Sequence, residues 1–417
     1  MSNSPVPPAS GPRGPVDLGD RAARALTAEL ARDNAEKHAL LVGTTPGSTV
    51  LGAAIDGLLP GDTLTVVPAE GEQAAGLRSE VDSHGSWVSE RVRVVDTLAA
   101  ADPTDHLIVA TALAGSGDDA RTTIDGYAKY LTEGGVLSVA TPALPASTSG
   151  AAAELDRQAA LFGVGGDLVL RNVPPVRVHR LRFTAAATAR ADKLGPAMRT
   201  SSVALTRGMH IDSNGVAAAA IALGLAAATR AARPKSRLWL LPALAAVPVA
   251  AFFRDPQRDT PEDPTAVVAA SDGRVLSVER VRDARLGATE FLRIAVFLSI
   301  LDVHVNRAPV AGRVTDHFVV DGGFAAAMKP AAEHNVAAYT VLDTTHGRVV
   351  VAQRTGMVAR RIVHRAPVGA LLAKGERFGL IRFGSRTDVY LPAESADALV
   401  GPGDRVAGGA SVIARWR

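Results

Sequence analysis

Three residues in the C-terminal half carry side chains suited to proton transfer or nucleophilic attack. Ser385 follows Gly384 and lies between two stretches with a strand pattern. His304 follows an apolar stretch, and histidine titrates close enough to neutral pH to act as a general acid or base. Asp272 stands in Ser-Asp-Gly, which by itself predicts a tight turn. Taken alone, a histidine at a strand end is more often only hydrogen-bonded.

The Gly384-Ser385 step is the strongest of these candidates. A glycine before a serine has no Cβ, tolerates strained backbone angles and lets the hydroxyl approach a backbone carbonyl closely. Gly-Ser also occurs at 47–48, 85–86 and 115–116, where each pair is typical of a turn or loop. Only the pair at 384–385 lies between two strand patterns, which favours Ser385 as the reactive serine.

The elements that must position these residues are short strands separated by turns rich in Gly, Asp and Asn. The pattern predicts a mainly β domain over residues 254–417. The predicted strands are Ala266–Ala269, Arg274–Val278, Phe291–Phe297, Arg348–Ala352, Arg361–Val363, Gly379–Phe383, Thr387–Leu391 and Ala410–Ile413.

Several phrases of this half occur in the order found in phosphatidylserine decarboxylases of the short, archaeal-like type. The chain from Phe252 to Arg417 resembles that family. The phrases are Phe252-Phe-Arg-Asp-Pro256, Ser271-Asp-Gly273, Phe297-Leu-Ser-Ile-Leu-Asp-Val-His304-Val-Asn-Arg-Ala-Pro309, Gly356-Met-Val-Ala-Arg-Arg361 and Gly379-Leu-Ile-Arg-Phe-Gly-Ser385-Arg.

The resemblance implies decarboxylation of phosphatidylserine to phosphatidylethanolamine. Expelling carbon dioxide leaves a carbanion, so the reaction needs an electron sink such as pyridoxal phosphate or a protein-bound pyruvoyl group. The family implies the pyruvoyl group, made when Ser385 attacks the Gly384 carbonyl and the backbone breaks. The products would be a large chain ending at Gly384 and a small chain from Ser385 to Arg417.

The resemblance also assigns roles to His304 and Asp272. It matches His304 to the histidine of the decarboxylation step, and Asp272 to an aspartate that orients the histidine activating the cleavage serine. Arg307 occupies the place of that second histidine, and arginine is a poor base. Either His304 serves both steps, or His346 or His364 enters the site, or local strain drives the acyl shift.

A basic cluster lies near these phrases. Its functional interpretation is recognition of the substrate phosphate or carboxylate, for which an arginine fork is well shaped, and its alternative is a solvated face. The candidate substrate-binding residues are Arg307, Arg360, Arg361 and Arg386, with His364 beside them.

Residues 18–190 show alternating apolar strands and Ala-rich helices, which predict a Rossmann-like α/β domain. Its predicted strands are Ala39–Val42, Thr63–Val67, Arg91–Val95, His106–Ala110 and Val136–Ala140. The turn from Gly43 to Thr49, followed by a helix near Val50, resembles the nucleotide-binding turn of class I methyltransferases. Glu70 comes late for the acidic residue that holds the ribose, so the interpretations are a methyltransferase or an inherited scaffold.

Residues 210–253 form an apolar connector with two uncharged stretches, Gly215–Thr229 and Leu238–Phe253, joined by a basic link. At 15 and 16 residues both are short for a straight membrane span. Trp239 and the link favour a segment lying on an anionic membrane surface over a buried hairpin. We therefore predict a peripheral protein on the cytoplasmic side of the cell membrane.

Composition narrows the remaining function classes. The chain has 417 residues and no cysteine, so thiolate metal sites, disulfides and thiol nucleophiles are excluded. The net charge of +3 without a basic, aromatic-rich run argues against nucleic acid, and no metal site is expected. Residues 1–17 predict a disordered tail. The end of the chain resembles a lipoyl or biotinyl hairpin, but no lysine follows Lys374. A homodimer is left open.

Overall fold

The computed structural model describes residues 18–143, 150–197, 202–206, 208–357, 361–382 and 385–417. The predicted tail at 1–17 lies outside these residues, as do Arg360 and Gly384. The chain forms two compact units. The first comprises residues 1–31 and 36–185, and the second comprises residues 32–35 and 186–417.

The first unit is built on a seven-stranded sheet in the order β3-β2-β1-β4-β5-β7-β6. Strands β1 to β5 are parallel, and β7 runs antiparallel to both of its neighbours. The strands are β1 (His38–Thr44), β2 (Thr63–Pro68), β3 (Val92–Val94), β4 (Thr104–Ala112), β5 (Leu131–Pro142), β6 (Gly163–Val169) and β7 (Val176–Leu181).

Helices cover both faces of this sheet, and neighbouring residues of one strand therefore point into different hydrophobic clusters. Leu40 and Leu41 are both buried, and each lies in a separate hydrophobic cluster. The predicted α/β Rossmann-like class is thus confirmed. The helices are α1 (Asp20–Leu26), α2 (Ala28–Arg32), α3 (Thr49–Asp56), α4 (Ala74–Ser83), α5 (Ser86–Ser89), α6 (Gly117–Ala128) and α7 (Gly150–Phe162).

The second unit is mainly β, also as predicted. Its largest sheet has eight strands in the order β19-β15-β16-β17-β21-β13-β12-β23, and a separate three-stranded sheet has the order β14-β20-β18. The strands are β8 (Val203–Thr206), β9 (Met209–Ile211), β10 (Arg254–Pro256), β11 (Ala266–Val268), β12 (Gly273–Arg282), β13 (Glu290–Leu298), β14 (Val305–Arg307), β15 (Gly312–Val320), β16 (Ala337–Thr344), β17 (Gly347–Arg354), β18 (Ile362–His364), β19 (Leu371–Leu372), β20 (Arg377–Ile381), β21 (Ser385–Pro392), β22 (Ala396–Ala398), β23 (Arg405–Val406) and β24 (Val412–Trp416).

Two helices of this unit, α8 (Ser213–Ala232) and α9 (Leu240–Phe252), pack against each other as an apolar hairpin. Helix α8 begins at Ser213 because Asp212 accepts the Asn214 amide, and it runs for 20 residues. By length and composition α8 can cross a membrane, which corrects the shorter estimate from the sequence. The difference arises because the helix continues through both polar ends of the apolar stretch.

The base of the apolar hairpin is held by contacts with other residues of the second unit, whereas its flanks are exposed. Phe252 and Phe253 pack on Leu380 of β20, and Asp212 forms a salt bridge with Arg365. The exposed flanks carry large apolar side chains, each more than half exposed: Ile221, Leu223, Leu225, Leu241, Leu244 and Val247. So large an apolar surface marks an interaction site.

Candidate active site

Ser385 begins a buried strand in the middle of the largest sheet. It is the first residue of β21, and its Cα partner on β13 is Leu298. The Ser385 side chain has no exposed surface, and its Oγ forms no hydrogen bond with any described residue. A hydroxyl removed from water and left without a partner is available for chemistry.

His304 presents a neutral imidazole whose Nε2 atom is unused. Its Nδ1 lies 2.9 Å from the carbonyl oxygen of Asp302, so Nδ1 must donate and Nε2 keeps its lone pair. Nε2 is buried and has no hydrogen-bond partner in the described part of the chain. The Phe252 ring lies 4.2 Å away, and burial lowers the pKa of His304 to about 4. His304 is therefore a base at neutral pH.

Side-chain contacts link the segment that carries His304 to the strand that carries Ser385. His304 directly precedes β14, and Asn306 lies inside that strand. The Asn306 amide contacts Gln353 of β17. Gln353 pairs with Thr387, which lies two residues after Ser385 and on the same face of β21. His304 and Ser385 thus approach one corner of the second unit.

Arg307 lies on the opposite side of β14 from His304. It donates to Asp255 at 3.0 Å, to the Pro256 carbonyl at 2.8 Å and to the Gly375 carbonyl at 3.3 Å. Burial lowers the pKa of Arg307 to about 10, which still leaves it protonated at neutral pH. These contacts favour a structural role over the predicted substrate contact.

Asp272 binds an arginine where the resemblance implied a histidine. Its Oδ2 accepts from Arg258 at 2.7 Å, and its Oδ1 accepts from the Gly408 amide at 2.8 Å. No histidine is among its hydrogen-bond partners within the described ranges. The implied Asp-His pair is therefore not formed, because Arg307 replaces the histidine and turns towards Asp255.

The other predicted substrate-binding arginines are placed differently. Arg386 is buried and donates to Asp388 at 2.5 Å, and since it follows Ser385 it points to the opposite face of β21. Arg361 is exposed, and Arg360 lies outside the described residues. Of the three that the structure describes, Arg361 alone is exposed.

Two alternative bases are unfavourably placed. His346 is exposed and stacks on Trp416 with ring centroids 4.7 Å apart. It lies at the Pro392 end of β21, about seven residues or roughly 23 Å from Ser385. His364 stacks on His317 at 3.5 Å, and its Nε2 lies 2.5 Å from a backbone carbonyl. The geometry favours His304 among the three histidines considered.

Sequence reasoning missed two polar residues of this corner, Asn306 and Gln353. Asn306 stands inside one of the quoted phrases, two residues after His304, and that spacing could have singled it out. Gln353 stands in an apolar strand with no neighbouring signal. Ser271 was also passed over, although its hydroxyl lies 2.7 Å from that of Thr387.

In the first unit, a side chain of the same chain contacts the glycine turn after β1. Gly43 and Gly47 have positive φ angles of 77° and 75°, as a tight turn requires. The Ser48 hydroxyl accepts the Val50 amide, which caps α3. The Gly47 amide, however, donates to the Glu80 carboxylate at 2.9 Å. An acidic side chain thus occupies a position where a ligand anion would bind.

Comparison with known proteins matches residues 247–414 to a family model described as phosphatidylserine decarboxylase. A phosphatidylserine decarboxylase proenzyme of Symbiobacterium thermophilum is 50% identical over 166 residues, which are 39% of this chain and 77% of that protein. One of Carboxydothermus hydrogenoformans is 44% identical over 165 residues, which are 39% of this chain and 78% of that protein.

Solved structures of methyltransferases are more remote. An O-methyltransferase from Bacillus cereus is 16% identical, with a TM-score of 0.30, and the match covers 39% of this chain and 80% of the other. The O-methyltransferase TomG from Streptomyces achromogenes is also 16% identical with a TM-score of 0.30, covering 39% and 79%.

Proposed function

The chain belongs to the phosphatidylserine decarboxylase family, and we propose that it forms phosphatidylethanolamine with a pyruvoyl group made from its own Ser385. The observation that carries this proposal is the buried, unpartnered Oγ of Ser385, together with a His304 Nε2 that is also buried and has no partner among the described residues. A nucleophile and a base are thereby available on two segments of the same corner.

The surroundings of residue 385 fit such a group. Its side chain is fully buried, and its strand is held by β13 on one side and by β17 on the other. Breaking the bond before residue 385 therefore leaves the new chain end fixed in the sheet. A pyruvoyl group held here would supply the electron sink of the reaction, because its Schiff base with the substrate amine would take up the electron pair that the departing carbon dioxide leaves behind.

Self-cleavage starts when His304 Nε2 removes the Ser385 hydroxyl proton. Oγ bonds to the Gly384 carbonyl carbon, the C–N bond breaks, and the Ser385 nitrogen takes the proton, which converts the amide into an ester. Loss of the Cα proton then breaks the Cβ–Oγ bond and releases the Gly384 carboxylate. Water hydrolyses the resulting dehydroalanine to a ketone and ammonia.

The apolar hairpin supports membrane association close to this site. Its base reaches His304 through Phe252, whereas its flanks expose large apolar side chains. The last turn of α8 and the link to α9 together carry four cations that suit anionic headgroups. We place the protein on the cytoplasmic side of the membrane, where the hairpin brings bilayer substrate to the catalytic corner. The cations are Arg230, Arg233, Lys235 and Arg237.

Intact mass spectrometry of the purified protein tests the proposal. We expect two chains, with the smaller one starting at residue 385 and carrying a ketone-bearing, blocked terminus. Ser385→Ala should remain one uncut and inactive chain. Ser86→Ala, at another Gly-Ser step in a helical segment, should be cut normally. Release of carbon dioxide from phosphatidylserine by the Ser385→Ala chain would refute the assignment.

A further inference from the structure

Asn306 and Gln353 form a buried pair of side-chain amides with unused hydrogen-bonding capacity. Both residues are fully buried, and Gln353 Nε2 donates to Asn306 Oδ1 at 2.6 Å. Asn306 Nδ2 and Gln353 Oε1 have no hydrogen-bond partner among the described residues. Each such buried polar group destabilises the fold by about 1–3 kcal/mol, so two in one contact call for an explanation in function.

The amide pair lies next to the reactive serine. Gln353 is opposite Thr387 on β21, which makes it the diagonal neighbour of Ser385 on the same face, with Cβ atoms roughly 7 Å apart. Gly379 of β20 leaves room for the pair, because a Cβ there would lie 3.1 Å from Gln353 Nε2. Asn306 is also two residues from His304, which directly precedes β14.

The chemistry at Ser385 creates the negative charge that such a donor can bind. When Oγ bonds to the preceding carbonyl carbon, one electron pair of that carbonyl moves onto its oxygen. The carbon is covalently attached to the Ser385 nitrogen, so the charge develops directly beside residue 385. A donor without a partner in the resting protein can stabilise the transition state without also stabilising the ground state.

We propose that Asn306 Nδ2 is the oxyanion donor of the self-cleavage reaction, and that Gln353 is a positioning residue that fixes the Asn306 amide. The electron pair returns to the carbonyl when the C–N bond breaks, and the nitrogen takes its proton from His304. This proposal rests on the proposed function, because it concerns the same bond. It adds a role for two residues that the family phrases alone do not identify.

The test measures the rate at which the full-length chain is cut after cell-free synthesis, followed by denaturing gel and intact mass. Asn306→Asp keeps the shape but removes the donor, and we expect cleavage to slow by about 10²- to 10³-fold. Gln353→Glu leaves Asn306 in place. Its carboxylate can only accept, so it should turn the Asn306 amide away from the serine and slow cleavage as well.

Asn335→Asp is the matched control. Asn335 is a buried amide of the same unit whose oxygen and nitrogen are both bonded, to the Ala325 backbone and to the Thr355 carbonyl. It should lower the unfolding temperature while the cleavage rate stays within about threefold of the wild type. Asn306→Asp should show the reverse, with slow cleavage and an unfolding temperature close to that of the wild type.

Wild-type cleavage rates in both Asn306→Asp and Gln353→Glu would overturn the inference. So would slow cleavage accompanied by a fall in unfolding temperature as large as that of Asn335→Asp, since that result indicates a structural role. Neither result affects the proposed function, which fails only if Ser385→Ala is still cut or active.

Discussion

The buried carboxylate of Asp388 should be essential for holding the small chain in the sheet. Asp388 is fully buried and accepts from Arg354 of β17 at 2.7 Å and from Arg386 at 2.5 Å. Burial alone would raise the pKa of Asp388, but the two guanidinium groups lower it. Asp388→Asn removes the counter-charge of Arg354, leaves Arg386 with only Glu333 at 3.7 Å, and turns an amide NH₂ towards one of the two cations.

Removing one partner of a buried ion pair destabilises a protein by about 3–5 kcal/mol. In a unit of this size, each kcal/mol shifts the unfolding temperature by about 2–4 °C. We therefore expect Asp388→Asn to lower it by about 6–20 °C. The measurement is thermal unfolding in the Ser385→Ala background, where no chain is cut and unequal processing cannot affect the result.

Asp397→Asn provides the control, because Asp397 also lies in the small chain and pairs with Arg417 at 2.6 Å. That pair is exposed, with side chains 46% and 60% accessible, so its loss should lower the unfolding temperature far less than the loss of the Asp388 pair. Equal shifts for the two variants would show that burial of the Asp388 pair does not determine its contribution.

Four further outcomes are expected. Because burial lowers the pKa of His304 from 6.5 to about 4, the cleavage rate should stay constant between pH 7 and 5, and a midpoint near 6.5 would contradict a buried base. Over the same interval the free energy of unfolding of the uncut Ser385→Ala chain should fall, because the unfolded chain binds a proton that the folded chain does not. His346→Ala should leave the cleavage rate unchanged. A tenfold lower rate in a gel assay would indicate that His346 takes part in cleavage. Replacing Leu244 and Val247 by serine should lower the affinity for anionic vesicles, measured by co-sedimentation, about a hundredfold. The loss corresponds to about 3 kcal/mol of apolar burial in the membrane. The control Val319→Ser should not change the affinity.

The strands around Ser385 could be predicted because their sequences carry local signals. The predicted strand Phe291–Phe297 corresponds to β13 at Glu290–Leu298, and a run of apolar residues interrupted only by Arg293 marks it. In the first unit, β7 was missed because Val176–Leu181 alternates valine with Arg and His. Its Arg180 is buried against Asp167, a distant contact that no local pattern announces.

In the candidate site, too, some residues could be predicted from the sequence and others could not. Ser385 could be recognised because a short phrase between two strand patterns surrounds it. The partner of Asp272 could not, since Arg258 reaches it only after the chain has folded. Gln353 could not be predicted as a site residue either. Its hydrogen bond to Asn306 joins two different sheets and forms only in the folded protein.

The central position of β21 determines whether the proposed reactive group at residue 385 could be replaced. The strand that carries the reactive residue has a neighbour along each edge, β17 and β13. On the proposed mechanism, a carbonyl at residue 385 that reacts with another nucleophile cannot be exchanged for a new one from solution, as a dissociable coenzyme could be. Each molecule would then form this group once, during maturation, and would lose its activity when the group is modified.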